Sequence, residues 1–305
     1  MQRFYSNGKL LLSGEYLILD GATGIALPTS FGQELLVGKF KKEGVLFWES
    51  LDESGDSWFE GKLHLPDLKM ISFKGQEKVA NTLQRILLEA KKANEKFLVG
   101  YEGIHVISKL QFPRDWGLGS SSTLINNIAQ WSDSNPFELL FNSFGGSGYD
   151  IACAQVDQPI SYTLEHDKPK FELVKFDPIF KDQLYFVHLN KKQVSSESIK
   201  AYKKKKVAQH CIKDISMISE KIVSAATIHD FNELLKEHES IISDILDIEP
   251  VQQRLFPDYQ GQIKSLGAWG GDFILASGDE STKAYFNQKG FQTVIPYTSM
   301  IKHYE

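Results

Sequence analysis

Pro113-Arg114-Asp115-Trp116-Gly117-Leu118-Gly119-Ser120-Ser121-Ser122-Thr123 stands between a run that reads as a strand and an apolar run that reads as a helix. Glycines let the backbone turn so that successive N–H groups converge, and the helix that follows adds its positive end. That combination suits phosphate. The hydroxyls of Ser120, Ser121 and Ser122 can add donors or a metal ligand. Glycine and serine also build ordinary strand-to-helix turns with an N-cap, so the run alone leaves both readings open.

Three further segments share this glycine-rich character. Gly145-Gly146-Ser147-Gly148-Tyr149-Asp150 runs into Ile-Ala-Cys-Ala, where an aspartate beside tight glycines either points its carboxylate outward or caps a helix. Gly267-Ala-Trp-Gly270-Gly271-Asp272 leads directly into the apolar run Phe273–Ala276, and a plain turn is its other reading. Near the start, Asn7-Gly8-Lys9-Leu-Leu-Leu-Ser-Gly14-Glu15-Tyr16 places a lysine and a glutamate on either side of an apolar run, a pattern that a surface ion pair also produces. Other signatures fail. GxxxxGK[ST], GxGxxG and GxSxG have no full match, and the eight histidines contain no HExxH.

Around these segments the periodicity predicts strands at Lys9–Leu12, Tyr16–Leu19, Gln33–Phe40, Val45–Glu49, Trp58–Leu65 and Val99–Leu110. A helix is predicted over Gln76–Ala93, with Val79, Leu83, Ile86, Leu87 and Ala90 on one face. A second covers Ser122–Trp131, and Asn135-Pro136 starts a third that runs through Phe144. Strands return at Ile160–Leu164, Phe171–Phe176 and Gln183–Leu189. Helices follow at Ala201–Ser224 and Asp230–Ile248, then Asp272–Ala276, a short helix near Ser281–Lys289, and Thr293–Tyr297. Mixing without strict alternation indicates α+β. A boundary near 178–182 divides the chain into 1–178 and 179–305.

Composition sets the class. With 305 residues, 42% hydrophobic and 24% charged, the chain can close a real core. A net charge of -5 lacks the basic excess of a nucleic-acid binder. Two cysteines without a CxxC suit a reduced, cytoplasmic setting. No apolar run approaches the roughly 20 residues that span a bilayer, and Leu10–Leu12 passes at once into Ser13-Gly14-Glu15, unlike an export signal. A soluble cytoplasmic protein without membrane or nucleic-acid partners is expected.

Taken in order, the segments resemble the GHMP kinase superfamily. SNGKLLLSGEYLILDGATGIALP resembles its first motif, PRDWGLGSSST its second, LGAWGGDFILA its third, and GSGYDIACA its substrate-side aspartate segment. The pattern is most similar to phosphomevalonate kinases, with mevalonate kinases next. The resemblance implies a two-domain GHMP kinase-like α+β fold: an N-terminal domain like ribosomal protein S5 domain 2, a ferredoxin-like C-terminal domain, and nucleotide in a cleft between them. It implies ATP and Mg²⁺ as cofactors and a small-molecule substrate, mevalonate or mevalonate 5-phosphate. By the same resemblance Gly117, Leu118, Gly119, Ser120, Ser121 and Ser122 would hold the ATP phosphates, Ser121 reaching Mg²⁺. Asp150 would face the substrate hydroxyl with Lys9 beside it, and Glu15, Ser147, Gly148, Gly270 and Gly271 would line the substrate.

Three departures bear on that picture. Trp269 stands where the family usually has glycine, and an indole there would narrow the approach to the phosphates or rebuild the substrate pocket. Trp116 is a second bulky residue, read as a brace beside the adenosine. Glu138 lies about one residue out of register with the magnesium glutamate of mevalonate kinases, and its other reading, a first-turn helix acid, is the one the helix dipole favours. Lys203–Lys206 reads as a solvated face, with Lys191 and Lys192 as candidates for an anionic substrate. A mevalonate diphosphate decarboxylase, or a silent relative that only binds a ligand, are the competing functions.

Overall fold

A computed structural model describes residues 1–166, 168–191 and 195–304. In chain order the elements are β1 (Gln2–Ser13), β2 (Gly24–Lys39), β3 (Val45–Leu51), β4 (Ser57–His64), β5 (Met70–Lys74), α1 (Glu77–Ala93), β6 (Ile104–Leu110), α2 (Ser120–Ser132), α3 (Pro136–Ser143) and α4 (Tyr149–Ala154). They continue with β7 (Ile160–Glu165), β8 (Lys168–Leu173), β9 (Leu184–His188), α5 (Ser195–Tyr202), α6 (Gln209–Ser224), α7 (Ile228–Leu246), α8 (Val251–Leu255), β10 (Ile263–Ser265), β11 (Phe273–Ser277), α9 (Ser281–Gln288), β12 (Val294–Pro296) and α10 (Tyr297–Met300). The architecture is α+β, as the mixed pattern implies. The chain forms two compact units. One comprises 1–8, 31–114 and 118–155; the other comprises 9–30, 115–117 and 156–305.

In the first unit the strands run in the order β5-β4-β3-β6-β2, antiparallel except for the parallel pair β3–β6. Strand alternation turns Leu46, Trp48, Phe59 and Leu63 inward, where they meet the apolar face of α1 (Ala80, Leu83, Ile86, Leu87, Ala90) and Ile125, Ile128 and Ala129 of α2. Burying one such side chain contributes about 1.5–3 kcal/mol, so this face decides where α1 lies. The helix α2 is also seated by polar contacts. Thr123 Oγ1 donates to Gln33 Oε1 (2.5 Å), and Asn127 Nδ2 donates to the Gln33 carbonyl (2.9 Å). Ser6 Oγ donates to Asn127 Oδ1 (2.8 Å) and accepts from Asn126 Nδ2 (2.9 Å). All five residues are buried, and each bond answers a polar group that would otherwise be costly to enclose.

In the second unit Gly24–Ala26 of β2 pairs with β7, and β7 with β8. A separate antiparallel sheet has the order β10-β11-β9-β12. Its apolar cluster includes Tyr185, Val187, Ile263, Ile274, Phe256 and Phe286.

Several predicted elements shift. The strand expected over Tyr16–Leu19 is a short 3-10 turn, Leu17–Asp20, because Gly14 (φ 91°), Tyr16 (φ 63°) and Gly21 (φ 88°) reverse the chain there. The helix expected over Ala201–Ser224 is two helices, parted at Lys203–Lys206, whose exposed like charges lie in water. Strand β8 starts and ends three residues before its predicted bounds, Phe171–Phe176. Strand β6 begins at Ile104 rather than Val99, since a Cβ on Gly103 would overlap the Phe40 and Lys42 carbonyls. The long first half of β2, punctuated by Gly24, Pro28 and Gly32, does not read as a strand. Gly32 is there because β1 passes so close that a Cβ would run into Tyr5 and the Ser6 carbonyl.

The α3 cap follows the sequence signal. Asn135 Oδ1 accepts from the N–H groups of Phe137 (2.9 Å) and Glu138 (3.4 Å), with Pro136 opening the helix. Replacing Asn135 with Ala is expected to lower stability by about 1 kcal/mol, read as a reduced urea midpoint with an unchanged slope.

Candidate functional site

In the first unit, α2 begins from Gly119 in the left-handed region (φ 88°), and no side chain caps it. The first N–H groups of a helix have no partner within it, so this end presents donors and a positive dipole end. The serine hydroxyls divide. Ser122 is buried and donates to the Gly119 carbonyl (2.8 Å), bracing the turn from inside. Ser120 is half-buried and Ser121 exposed, which leaves Ser121 on the outer side of the first turn. Leu118 is fully enclosed and brings only backbone to the loop.

The second glycine segment repeats this arrangement. Gly145 (φ 75°), Gly146 (φ 110°) and Gly148 (φ 88°) fold the chain into α4, again with no side-chain cap. Gly148, not Asp150, holds the N-cap position. Asp150 is half-buried in the first turn, its Oδ1 accepting from the Ile151 N–H (3.1 Å). Ser147 is buried beside it in sequence. Helices α2, α3 and α4 pack on one another, so the unit brings the serine run and Asp150 onto neighbouring helices. Glu138 is exposed in the first turn of α3, where an acid complements the dipole.

The second unit joins the first and third motifs. Lys9 Nζ donates to the Gly117 carbonyl (2.8 Å). Gly117 has φ 67°, and a Cβ there would overlap the Asp272 carboxyl group, so only glycine fits. Asp272, itself at φ 53°, donates its N–H to the Lys191 carbonyl (2.7 Å) and accepts from the Leu189 N–H (2.8 Å). Lys191 is exposed; Lys192 lies outside the described residues. Gly267 (φ 66°) and Gly270 (φ 102°) turn the third loop, and Gly271 is buried. Trp116 packs edge-on to Phe273, 5.5 Å between ring centroids. The Trp269 indole does not stand out from its loop. It is 4% exposed, in an apolar cluster with Tyr16, Leu17, Tyr202, Ile215 and Ile242, and its backbone N–H donates to Tyr16 Oη (3.0 Å).

Beneath that loop lies a group the motifs do not predict. Lys264 is fully buried; its Nζ donates to Glu15 and to the Ser265 carbonyl (2.9 Å), with Glu239 Oε1 at 3.9 Å. Glu15 Oε2 lies 3.2 Å from His238 Nε2, which accepts the Gly14 N–H (3.0 Å). Glu15 is thus enclosed against Lys264. Burial raises the Glu15 carboxyl, opposed by the ammonium of Lys264 and by the Gly267 N–H. Burial, with Lys264 adding, holds His238 well below the usual imidazole range. Burial pushes Glu239 up to about 8, with Lys264 opposing and Glu15 adding. One ammonium facing two carboxyls is neutral when one carboxyl keeps its proton, and Glu239 is that one. Nothing in the mixed polar stretch Gln262-Ile263-Lys264-Ser265 marks Lys264 as a buried group.

These residues fit a nucleotide's phosphates: the α2 end has open donors, no side-chain cap and an outward serine. Among the described residues no three His, Cys, Asp or Glu gather as a protein-built metal site. A Mg²⁺ carried by phosphates needs only one or two protein ligands, and Ser121 is placed to be one. No described helix is long and apolar enough to cross a membrane.

The sequence matches no family model and no curated protein. Solved structures do match. The mevalonate kinase of Methanococcus jannaschii superposes with a TM-score of 0.70 at 14% identity, over 94% of this chain and 94% of that one. The phosphomevalonate kinase of Streptococcus pneumoniae, in complex with phosphomevalonate and AMPPNP, gives 0.69 at 16%, over 96% and 99%. The galactokinase of Lactococcus lactis, complexed with galactose, gives 0.64 at 14%, over 94% and 90%. The chain has the GHMP kinase fold over nearly its whole length.

The buried cluster sets a pH dependence. Between the ordinary value of 4.5 and about 8, folded Glu239 keeps a proton that the unfolded chain releases, so stability falls as pH rises through that window. Glu239→Gln cannot titrate. Its stability relative to the parent is expected to improve from pH 5 to pH 8, by at most about 1.4 kcal/mol per pH unit, in urea midpoints measured across that range. A difference independent of pH would show Glu239 ionised in the folded state.

Proposed function

We propose that the protein is an ATP-dependent small-molecule kinase that transfers the γ-phosphoryl group to mevalonate 5-phosphate or mevalonate in the cytoplasm. The observation that carries this reading is the uncapped, glycine-entered end of α2 with Ser121 facing outward. Asp150 sits on the adjoining, equally uncapped α4. The likeness to mevalonate and phosphomevalonate kinases, one of them holding phosphomevalonate and AMPPNP, supports it. The division of the catalytic body at 1–178 and 179–305 belongs to the same proposal.

When bound, ATP supplies the phosphoryl group, and Mg²⁺ neutralises charge on the phosphates. Backbone donors over Gly117–Ser122 would hold that charge, and Ser121 would serve as a ligand to the metal. Asp150 orients the acceptor hydroxyl and takes its proton late. A carboxylate of ordinary pKa, about 3.9, is too weak a base to strip an alcohol beforehand. Lys9 stabilises the developing charge as a fixed cation, its ammonium held by the Gly117 carbonyl. By the resemblance, Ser147 and Gly148 of the first unit and Gly270 and Gly271 of the second are the residues proposed for the acceptor. Glu15, enclosed with Lys264, supports that side from within rather than by touching the substrate. The packing of Trp269 into an apolar cluster removes the bulk that would have favoured a silent relative.

The test is an incubation with ATP–Mg²⁺ and a panel of mevalonate, its mono- and diphosphates, homoserine and galactose, following ADP and CO₂. ADP without CO₂ is expected on mevalonate 5-phosphate or mevalonate, whereas CO₂ release would identify a decarboxylase. Asp150→Asn is expected to lose about 10²–10³ in turnover or more, with an unchanged melting temperature. Near-parental turnover would remove Asp150 from the mechanism.

A further inference from the structure

The third glycine loop is tied to the first-motif turn at three points, one of them the Gly267 N–H held by Glu15. At its entrance, Lys264 donates both to Glu15 and to the carbonyl of Ser265, the residue preceding Leu266 and Gly267. At its middle, the Trp269 N–H donates to Tyr16 Oη, next in sequence to Glu15. The loop then delivers Asp272 against Gly117, whose carbonyl holds Lys9. The loop's own glycines bring freedom and no side-chain contacts: a Cβ at Gly267 would meet nothing within 4 Å. Its conformation must therefore be imposed by its ends and by Trp269, whose indole is buried in the cluster with Tyr16 and Tyr202. The Tyr16 contact is one neutral hydrogen bond. The Lys264–Glu15 contact is charged on both sides and has no access to water, the setting in which such bonds are strongest and most directional.

We infer that Lys264 is a positioning residue: by bonding Glu15 and the Ser265 carbonyl together it sets the loop 266–271 on the first-motif turn, and through Asp272 and Gly117 it sets Lys9. The effect on turnover rests on the kinase reading above; the effect on the loop does not. Fully buried, Lys264 touches neither substrate nor nucleotide. Removing it leaves every group of the chemistry present but displaced, and a displacement near 1 Å can cost about 10²-fold in rate.

The test compares Glu15→Gln, Lys264→Met and the double variant with the parent. Three quantities are read: melting temperature, kcat and KM, and backbone amide exchange of 266–271 by mass spectrometry. Glu15→Gln keeps size and an acceptor oxygen. It is expected to fold, to exchange at least about 10-fold faster in the loop, and to lose about 10²-fold in kcat/KM, mostly in kcat. Lys264→Met leaves Glu15 buried without its cation and is expected to melt lower. The double variant removes both charges. It is expected to regain the melting temperature while kcat/KM stays about 10²-fold down. A merely structural pair would recover both together, and that result would overturn the proposal, as would singles with kcat/KM within about twofold of the parent and unchanged loop exchange. If the parent turns over nothing in the panel, the kinase reading falls by itself. Loop exchange in Glu15→Gln then still decides: faster exchange upholds the positioning role and unchanged exchange ends it.

Discussion

A lysine ammonium sealed from water is the constraint on which the second unit is organised. Enclosing a charge costs several kcal/mol even after relaxation, so Lys264 is tolerable only while Glu15 and the Ser265 carbonyl surround it. Those partners come from the first turn of the chain and from its last third, 249 residues apart for Glu15. Satisfying one cation therefore fixes how two distant segments meet. The rest of the cluster adjusts to that pair. Burial raises Glu239, with the nearby Glu15 adding and Lys264 opposing, and burial lowers His238, with the charge of Lys264 adding.

The first unit solves a different problem with neutral groups. Its two helix ends, at Ser120 and Tyr149, carry glycine at the N-cap and no capping side chain. A glycine N-cap sacrifices about a few tenths of a kcal/mol relative to Ser, Thr, Asn or Asp. The polar seat of α2, whose Thr123, Asn126 and Asn127 bond to Gln33 and Ser6, offsets that loss and holds the helix at a set depth. The hydroxyls divide accordingly: Ser122 and Thr123 turn inward to the turn and the strand, and Ser121 is left outside. Where α3 has no such duty, Asn135 caps it in the ordinary way.

Local signals in the sequence were legible for that reason. The apolar face of α1, the Asn135-Pro136 start of α3 and the glycine segments depend on neighbours within a few residues. Tyr16–Leu19 misled because a short apolar run suits a strand as well as a turn, and the positive φ of Tyr16 has no marker in its side chain. Trp269 misled in another way. A bulky residue inside a glycine motif suggests obstruction, whereas its indole fills an apolar cluster built with Tyr202 and Ile242, far along the chain. Lys264, His238 and Glu239 carried no signal at all. On α7 the polar pair His238-Glu239 reads as a solvent face, and only the partner 249 residues from Glu15 makes it an interior.

The same reasoning explains how this fold persists at 13–16% identity to mevalonate and phosphomevalonate kinases. What the backbone demands here is sparse. Gly117 must leave room for the Asp272 carboxyl, and Gly119 and Gly148 must adopt φ near 88° to enter their helices. Buried polar atoms must find partners. Apolar positions need only the right period and volume, so most side chains can change. A galactokinase shares the fold as well, at a TM-score of 0.64. The backbone therefore cannot choose between a sugar and a mevalonate derivative as acceptor. On the kinase reading proposed above, that choice falls to side chains rather than to the fold. Trp269, the bulkiest side chain of the third glycine loop, is spent on packing. On the same reading, an anionic acceptor needs a cation, and the second unit offers Lys9, held by the Gly117 carbonyl, and exposed Lys191 as candidates.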